Sequence, residues 1–231
     1  MRLAVEEFQQ PTSDAAIVER IVAAVMEQKL SAGAKLPEVA LCDAFDCSRT
    51  QVRRVLVVLA ERGVVTLHPN RGAFVASPGA AEARDVFEAR RAIECSIVLA
   101  AAERVDPQAL EDLRACALAG SAAEARGERS ASIRLSGQFH LKLAEISGNA
   151  LLQKFLEDLV TRTSLIIGLY GLRSQHSCSE DEHMELVDAL ATGDGGRAAD
   201  MMSHHLTHIE RGLDIREPDS EPVDIRCVFA D

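Results

Sequence analysis

Ser77-Pro78-Gly79 divides the chain into two stretches with different residue periodicity, and that break limits the possible folds more than any bulk property. Beyond it, segments near 80–104, 107–125, 128–147, 150–173, 180–192 and 196–213 repeat their apolar residues with the 3.6-residue helical period. They are punctuated by Asp106-Pro107, Gly127, Ser147-Gly148-Asn149, a Ser/Gln/His stretch at 174–179, and Gly193-Asp194-Gly195-Gly196. Ser179 with Glu182 fits a capping box at the start of the fifth of these helices. No strand-like alternation interrupts them, so residues 78–215 are expected to form an all-helical bundle.

Before the break the pattern is shorter and mixed. Asp14 can cap a first helix with Ile17, Ile21, Val25 and Met26 on one face, ended by Ser31-Ala32-Gly33. Pro37 suits the first turn of a second short helix reaching about Phe45. After the turn at Asp46-Cys47, Ser48 opens a third helix, and Ser48 with Gln51 fits a capping box. Val52, Leu56 and Leu59 face inward, and Gly63 stops the helix. Val64-Val65-Thr66-Leu67, a turn-rich His68-Pro69-Asn70-Arg71-Gly72, and Phe74-Val75 then read as a β-hairpin. Three short helices followed by a hairpin is the order of a winged helix-turn-helix, placed at 10–77. The expected fold is therefore mainly α: an N-terminal winged helix-turn-helix and a C-terminal all-α bundle. Residues 1–13 are expected to be frayed, and 216–231, with two prolines and several acids, to form an extended or disordered C-terminal arm.

A net charge of -11 argues against a nucleic-acid partner until it is divided along the chain. Residues 1–78 carry 9 Lys/Arg and 9 Asp/Glu, whereas 79–231 carry 16 and 27. Between 48 and 72, five arginines (Arg49, Arg53, Arg54, Arg62 and Arg71) stand against Glu61 alone. A basic patch on a neutral domain can meet phosphates while an acidic second domain stays off the duplex. No run of 18 apolar residues is present, and the N-terminus lacks a signal-peptide core, so a cytoplasmic protein with no membrane partner is expected. Six cysteines without a C-x-x-C pair suggest free thiols.

In a helix-turn-helix the helix after the turn enters the major groove, led by its N-terminal residues. Here these are Ser48, Arg49, Thr50 and Arg53. Arg49 and Arg53 are four apart and share a face opposite Val52, Leu56 and Leu59. Arginine can grip guanine O6 and N7 together, while the hydroxyls and free helix N–H groups suit phosphate. The tip Asn70-Arg71-Gly72 is cationic and slim enough for a minor groove. Leu36-Pro37-Glu38-Val39, Ser48-Arg49-Thr50-Gln51-Val52-Arg53-Arg54 and Pro69-Asn70-Arg71-Gly72-Ala73-Phe74-Val75 resemble the winged helix of the GntR family over about 17–76. The resemblance implies that Arg49, Thr50 and Arg53 contact double-stranded operator DNA, with Arg71 and Gly72 in the minor groove. Val39 stands where some members place a DNA-contacting arginine, and Gln51 and Arg54 replace the usual Pro and Glu.

Three histidines lie beside the apolar stripes of different helices: His140, His183 and His205. Aimed into one interior they would form a metal site with open positions; otherwise they are packed core or boundary side chains, and spacing leaves both open. Arg90-x-x-Ile93-Glu94, Phe139-His140, Ser147-Gly148-Asn149, His183, and Gly193-Asp194 through His205-Leu206 are similar to the FCD effector domain of the FadR-like GntR subgroup, over about 80–213. Many members hold a metal on an Asp and three His, and the Asp position is Ser136 here. The resemblance implies a divalent ion on His140, His183 and His205, zinc or nickel by ligand preference. Waters or an effector carboxylate would complete its shell, with Arg90 and Ser136 facing the effector. Without metal, the histidines would hydrogen-bond the effector themselves, with Arg90 as its charged partner. His68, His176, His204 and His208 read as surface. The expected protein is a metabolite-responsive repressor or activator that binds a palindromic operator as a homodimer. The alternative, a metal-dependent hydrolase using the three-His centre, lacks a general base in any H-E-x-x-H or comparable motif.

Overall fold

Local sequence signals account for most of the observed elements in the computed structural model, which describes residues 13–171, 179–215 and 223–229. The N-terminal unit runs α1 (Asp14–Met26), β1 (Lys35–Leu36), α2 (Glu38–Phe45), α3 (Arg49–Glu61), β2 (Val65–His68) and β3 (Gly72–Val75). Its sheet has the order β1-β3-β2 with both pairings antiparallel, Leu67 opposite Ala73 and His68 opposite Gly72. Ile17, Ile21, Val25, Leu36, Leu41, Phe45, Val52, Leu56 and Leu59 fill the core beneath it. Each such large side chain contributes about 1.5–3 kcal/mol by leaving water. The wing turns at His68-Pro69-Asn70-Arg71, with the Arg71 N–H donating to the His68 carbonyl at 3.1 Å. Asn70 sits at φ 60°, the left-handed position that a Pro-Asn turn supplies.

The C-terminal unit contains α4 (Ala80–Ala102), α5 (Pro107–Ala125), α6 (Arg129–Ser147), α7 (Ala150–Tyr170), α8 (Ser179–Ala191) and α9 (Gly195–Arg211). Asp106, Asn149 and Asp194 cap α5, α7 and α9 through their side chains, so the punctuation read from sequence does mark helix starts. Phe87, Ile97, Leu113, Phe139, Leu143, Leu156, Met202 and Leu206 form one buried cluster among these helices. α4 packs on α9, α6 and α7, while α5 packs on α6 and α8, leaving α6 in contact with both sides. Helices α6 and α7 approach closely at Gly137, where a Cβ would stand 2.8 Å from Val160 Cγ1.

Three expectations need correction, and one element was unanticipated. Ser13, not Asp14, caps α1, accepting from the Ala16 N–H at 3.2 Å, because the serine has the extended backbone a cap needs and Asp14 is already helical. That helix ends at Met26, several residues before Ser31, with Gln28 at φ 58° reversing the chain. The two-residue strand β1 escaped the pattern because its pairing with β3 is a main-chain contact. The C-terminal arm is not wholly extended or disordered: α10 (Ile225–Phe229) folds back onto α2. Ile225 and Phe229, one turn apart, are buried there, and the Phe229 ring lies 4.7 Å from that of Phe45. Arg20 stacks over both rings and donates to the Phe229 carbonyl at 3.1 Å, and Arg226 pairs with Asp43. The prolines and acids upstream outweighed that one apolar pair in the sequence reading. The expected fraying at 1–12, the loop at 174–178, and residues 216–222 and 230–231 of the arm lie outside the described residues.

Candidate functional site

The helix that follows the turn is built as its sequence suggests. Ser48 caps α3, its hydroxyl oxygen accepting from the Gln51 N–H at 3.2 Å, which leaves the hydroxyl proton free to donate. Val52, Val55, Leu56 and Leu59 are buried, so α3 is fixed to the core along one face. Ser48, Arg49, Thr50 and Arg53 lie exposed on its leading end, and Asn70, Arg71 and Gly72 are exposed at the wing tip. The five arginines differ in their engagement. Arg53 donates to both carboxylate oxygens of Glu38 at 3.0 Å, Arg54 pairs with Asp14, and Arg62 pairs with Glu19. Arg54, one of the five arginines of the basic stretch, is thus matched by an acid of α1, and Gln51 also engages the Asp14 carboxylate. Arg71 stacks over Phe74 at 5.6 Å. Arg49 has no ion-pair partner among the described residues and is the cation most available to a ligand.

In the bundle, His140 of α6, His183 of α8 and His205 of α9 converge. One ring nitrogen from each lies within 4.8 Å of the others, and all three side chains are buried. The ring centroids are 4.6 to 5.4 Å apart. Their orientation is set from behind. His140 Nδ1 donates to Glu94 Oε2 at 2.5 Å and His205 Nδ1 donates to Glu182 Oε2 at 2.7 Å, while Phe139 stacks on His183 at 4.3 Å. A neutral imidazole whose Nδ1 carries the proton presents a lone pair at Nε2. The Nε2 atoms of all three rings are buried with no hydrogen-bond partner. The Nε2 lone pairs of His140 and His205, with the unpartnered buried Nε2 of His183 on the neighbouring ring, would be costly without an occupant. The donor set therefore fits a divalent cation of the zinc or nickel type.

The charges beside the cluster follow from burial and pairing. Burial alone would push the Glu94 carboxyl up, but Arg90 and His140 outweigh it and hold it at about 2. Arg90 Nε donates to Glu94 Oε1 at 2.5 Å, and both side chains are almost wholly buried. This is an ion pair within α4. Arg90 keeps one buried nitrogen, Nη2, without a partner. Burial lowers His140 to about 4 against the pull of Glu94, and lowers His183 well below the ordinary imidazole value, with His205, His140 and Arg90 adding to the effect. Both rings are thus neutral near pH 7, the state a metal or an acid proton requires. Ser136, one turn before His140, lines a cavity of about 20 Å³ together with His183, Ser132, Ser121 and Glu124. That is room for about one water.

Sequence reasoning located the three converging histidines but assigned no role to Glu94 and only a capping role to Glu182. Glu182 is a partner of His205 and also of His208, whose Nδ1 lies 3.0 Å from its other oxygen. His208, expected at the surface, is half-buried for this reason, while His204 is 80% exposed as expected. The Arg90-x-x-x-Glu94 spacing is a readable signal for an ion pair. Nothing in the sequence around Glu182 points to partners 23 and 26 residues away.

Comparison with known proteins agrees with this architecture. Residues 14–75 match the profile described as bacterial regulatory proteins, gntR family, and 85–208, more than half the chain, match the FCD domain. The chain is 27% identical to the HTH-type transcriptional regulator LutR of Bacillus subtilis (strain 168), over 79% of this chain and 92% of that protein. It is 25% identical to the HTH-type transcriptional repressor RspR of Escherichia coli (strain K12), covering 83% and 85%. It is 27% identical to the putative L-lactate dehydrogenase operon regulatory protein of the same strain, covering 84% and 83%. Among solved structures, a putative GntR transcriptional regulator from Rhodococcus sp. RHA1 superposes with a TM-score of 0.71 at 23% identity, covering 86% of this chain and 95% of that one.

Proposed function

The chain belongs to the GntR family of bacterial transcriptional regulators, in its FadR-like branch with an FCD domain, and on that premise we propose that a small carboxylate bound beside a metal in the helical domain sets its affinity for operator DNA. The observation that carries this reading is the set of buried, unpartnered atoms at one place: Nε2 of His140, His183 and His205, and Nη2 of Arg90. The imidazoles would hold the ion, and the ion would supply a positive centre for an anionic ligand. Arg90, with its free nitrogen, would take a carboxylate oxygen, and Ser136 would offer a hydroxyl where many relatives offer an acid. One relative's name refers to a lactate dehydrogenase operon, which supports a small hydroxy acid or related carboxylate as the class to screen first. The chain is a regulator, not an enzyme. The hydrolase alternative has no support: its relatives are regulators, and the two carboxylates at the cluster are engaged with imidazole nitrogens.

On the DNA side, Arg49 and Arg53 would read bases in the major groove, Ser48 and Thr50 would meet phosphate, and Asn70, Arg71 and Gly72 would enter the minor groove. The protein would bind a palindrome as a homodimer, as a repressor or an activator. Exposed Leu118, Leu151 and Phe155 on the helical domain are apolar surface that such a dimer could cover. The direct test combines elemental analysis of protein purified without a histidine tag with gel shifts on the protein's own upstream region, with chelator, zinc, and a panel of small carboxylates. Stoichiometric metal, together with an operator affinity that one carboxylate changes, is the expected result. Metal-free protein whose DNA binding ignores every carboxylate would overturn the proposal.

A further inference from the structure

We infer that Arg129 is a latch holding the winged helix to the bundle, and that α6 is the rigid rod through which the state of the histidine site reaches it. The position of Arg129 is anomalous for its own helix. It is the first residue of α6, which has no acid in its first turn, and a cation there opposes the helix dipole. Its guanidinium serves other helices instead. Nε donates to the Met26 carbonyl at 2.9 Å, and Nη2 donates to the carbonyls of Ile167 at 2.8 Å and Gly171 at 3.0 Å. These are carbonyls at the C-terminal ends of α1, in the DNA-binding unit, and α7, in the bundle, the ends of helices that favour a cation; the Ile167 carbonyl also accepts the Gly171 N–H at 2.9 Å.

The winged helix answers with its own residue. Gln28, held at φ 58° just past α1, donates from Nε2 to the carbonyls of Leu169 at 3.2 Å and Gly171 at 3.3 Å. Gly168 lets the two units meet, because a Cβ there would stand 2.6 Å from Met26 Sδ and 3.1 Å from Met26 Cα. The joint is thus specific in shape and in hydrogen bonding. The same helix that begins with Arg129 carries Ser136 and His140. Eleven residues of α-helix span about 16 Å, with no glycine-induced break in α6 and with tight contact to α7 at Gly137. An occupant that pulls His140 toward His183 and His205 therefore acts on the element that ends at the latch.

This inference rests on the reading of the histidine cluster as the effector site, and its test separates the two. Hydrogen exchange is followed in residues 24–30 of the full-length protein, as wild type and as Arg129→Met, each with zinc and with chelator, alongside zinc stoichiometry. Removing charged hydrogen bonds should raise local opening of this segment roughly ten- to hundredfold in the variant. Zinc should slow exchange there in wild type, and this difference should vanish in Arg129→Met although zinc is still taken up. Gln28→Ala, which removes only the winged-helix side of the joint, carries the same readouts should Arg129→Met fail to fold. Unchanged exchange at 24–30 in a folded variant overturns the latch. A zinc effect that persists without Arg129 overturns the rod. A wild type that takes up no zinc removes the metal from the proposed function, and the chelator arm alone then decides whether the latch stands.

Discussion

Replacing Glu94 with Gln should weaken both the fold and the metal site, by amounts the geometry sets. The carboxylate is buried, accepts from Arg90 at 2.5 Å and from His140 Nδ1 at 2.5 Å, and is held ionised by both against its own desolvation. Gln keeps the shape and one acceptor but removes the charge, which leaves the Arg90 cation buried without its counter-ion. Breaking one side of a buried pair costs about 3–5 kcal/mol, and the surviving amide acceptor places this variant near the lower figure. For a chain of this size that corresponds to roughly 6–12 °C in melting temperature. The same change alters what stands behind His140. With a carboxylate the ring must donate from Nδ1, which directs the Nε2 lone pair at the cluster; an amide can donate to Nδ1 and reverse the tautomer. Loss of such a supporting group lowers metal affinity about 10–100-fold. Urea denaturation of chelated protein measures the first effect, and zinc competition against a chromophoric chelator measures the second. Exposed Glu61→Gln is the control and should stay within about 0.5 kcal/mol of wild type. A Glu94→Gln protein with wild-type stability and wild-type zinc affinity would refute the assigned role of Glu94.

Arg49→Ala should cost about 1–3 kcal/mol on the specific operator and less on random DNA, measured by gel shift. Arg53→Ala should cost less than Arg49→Ala, because Arg53 must first give up Glu38, an exposed pair worth about 0–1 kcal/mol; equal binding by wild type and both variants would show that α3 is not the reading helix. Chelation should lower the melting temperature of wild type but not of His205→Ala, while His204→Ala should keep the full response, since that ring is exposed. Ser136→Asp should tighten zinc binding in the same competition assay by restoring a carboxylate one turn before His140; weaker binding would mean the small cavity at Ser136 does not open toward the ion. Light scattering at micromolar protein should give a dimer mass, and a monomer mass with operator bound would exclude the palindrome reading.

Much of this was legible in the sequence, for identifiable reasons. Capping residues and glycines act within three or four positions, so Asp106, Asn149 and Asp194 could be read as helix starts and Gly63 as a stop. The helix after the turn declared itself through a serine cap, an apolar stripe and two arginines opposite it, all inside one helix. The three histidines stood out by their places beside apolar stripes, but a ligand role came only from the resemblance, because a histidine beside an apolar stripe looks the same whether it packs or ligates. What stayed hidden is contact between distant positions. Glu182 with His205 and Arg129 with Met26 are decided by how helices cross, and local periodicity carries no record of that.

The hidden contacts have a common character. Each places a polar or charged group against a partner on another helix: Arg129 at the start of α6 reaches the end of α1, and Glu182 of α8 reaches His205 of α9. Burying such groups is unfavourable unless the partners are fixed in number and direction, so they tie elements together in one arrangement more strictly than apolar packing does. The apolar clusters of the two units can tolerate sliding; the Arg129 fork and the Glu94 bridge cannot, because a shift of about 1 Å leaves a buried charge or carbonyl unmet. A regulator needs such all-or-none joints between its sensing and reading halves, since a site that could relax gradually into packing would have no second state to bias. The acidic bundle adds to this requirement. With its charge excess confined to residues 79–231, it is repelled by DNA phosphates, so contact with a duplex falls to the winged helix, and a change in the joint would alter how that unit is presented.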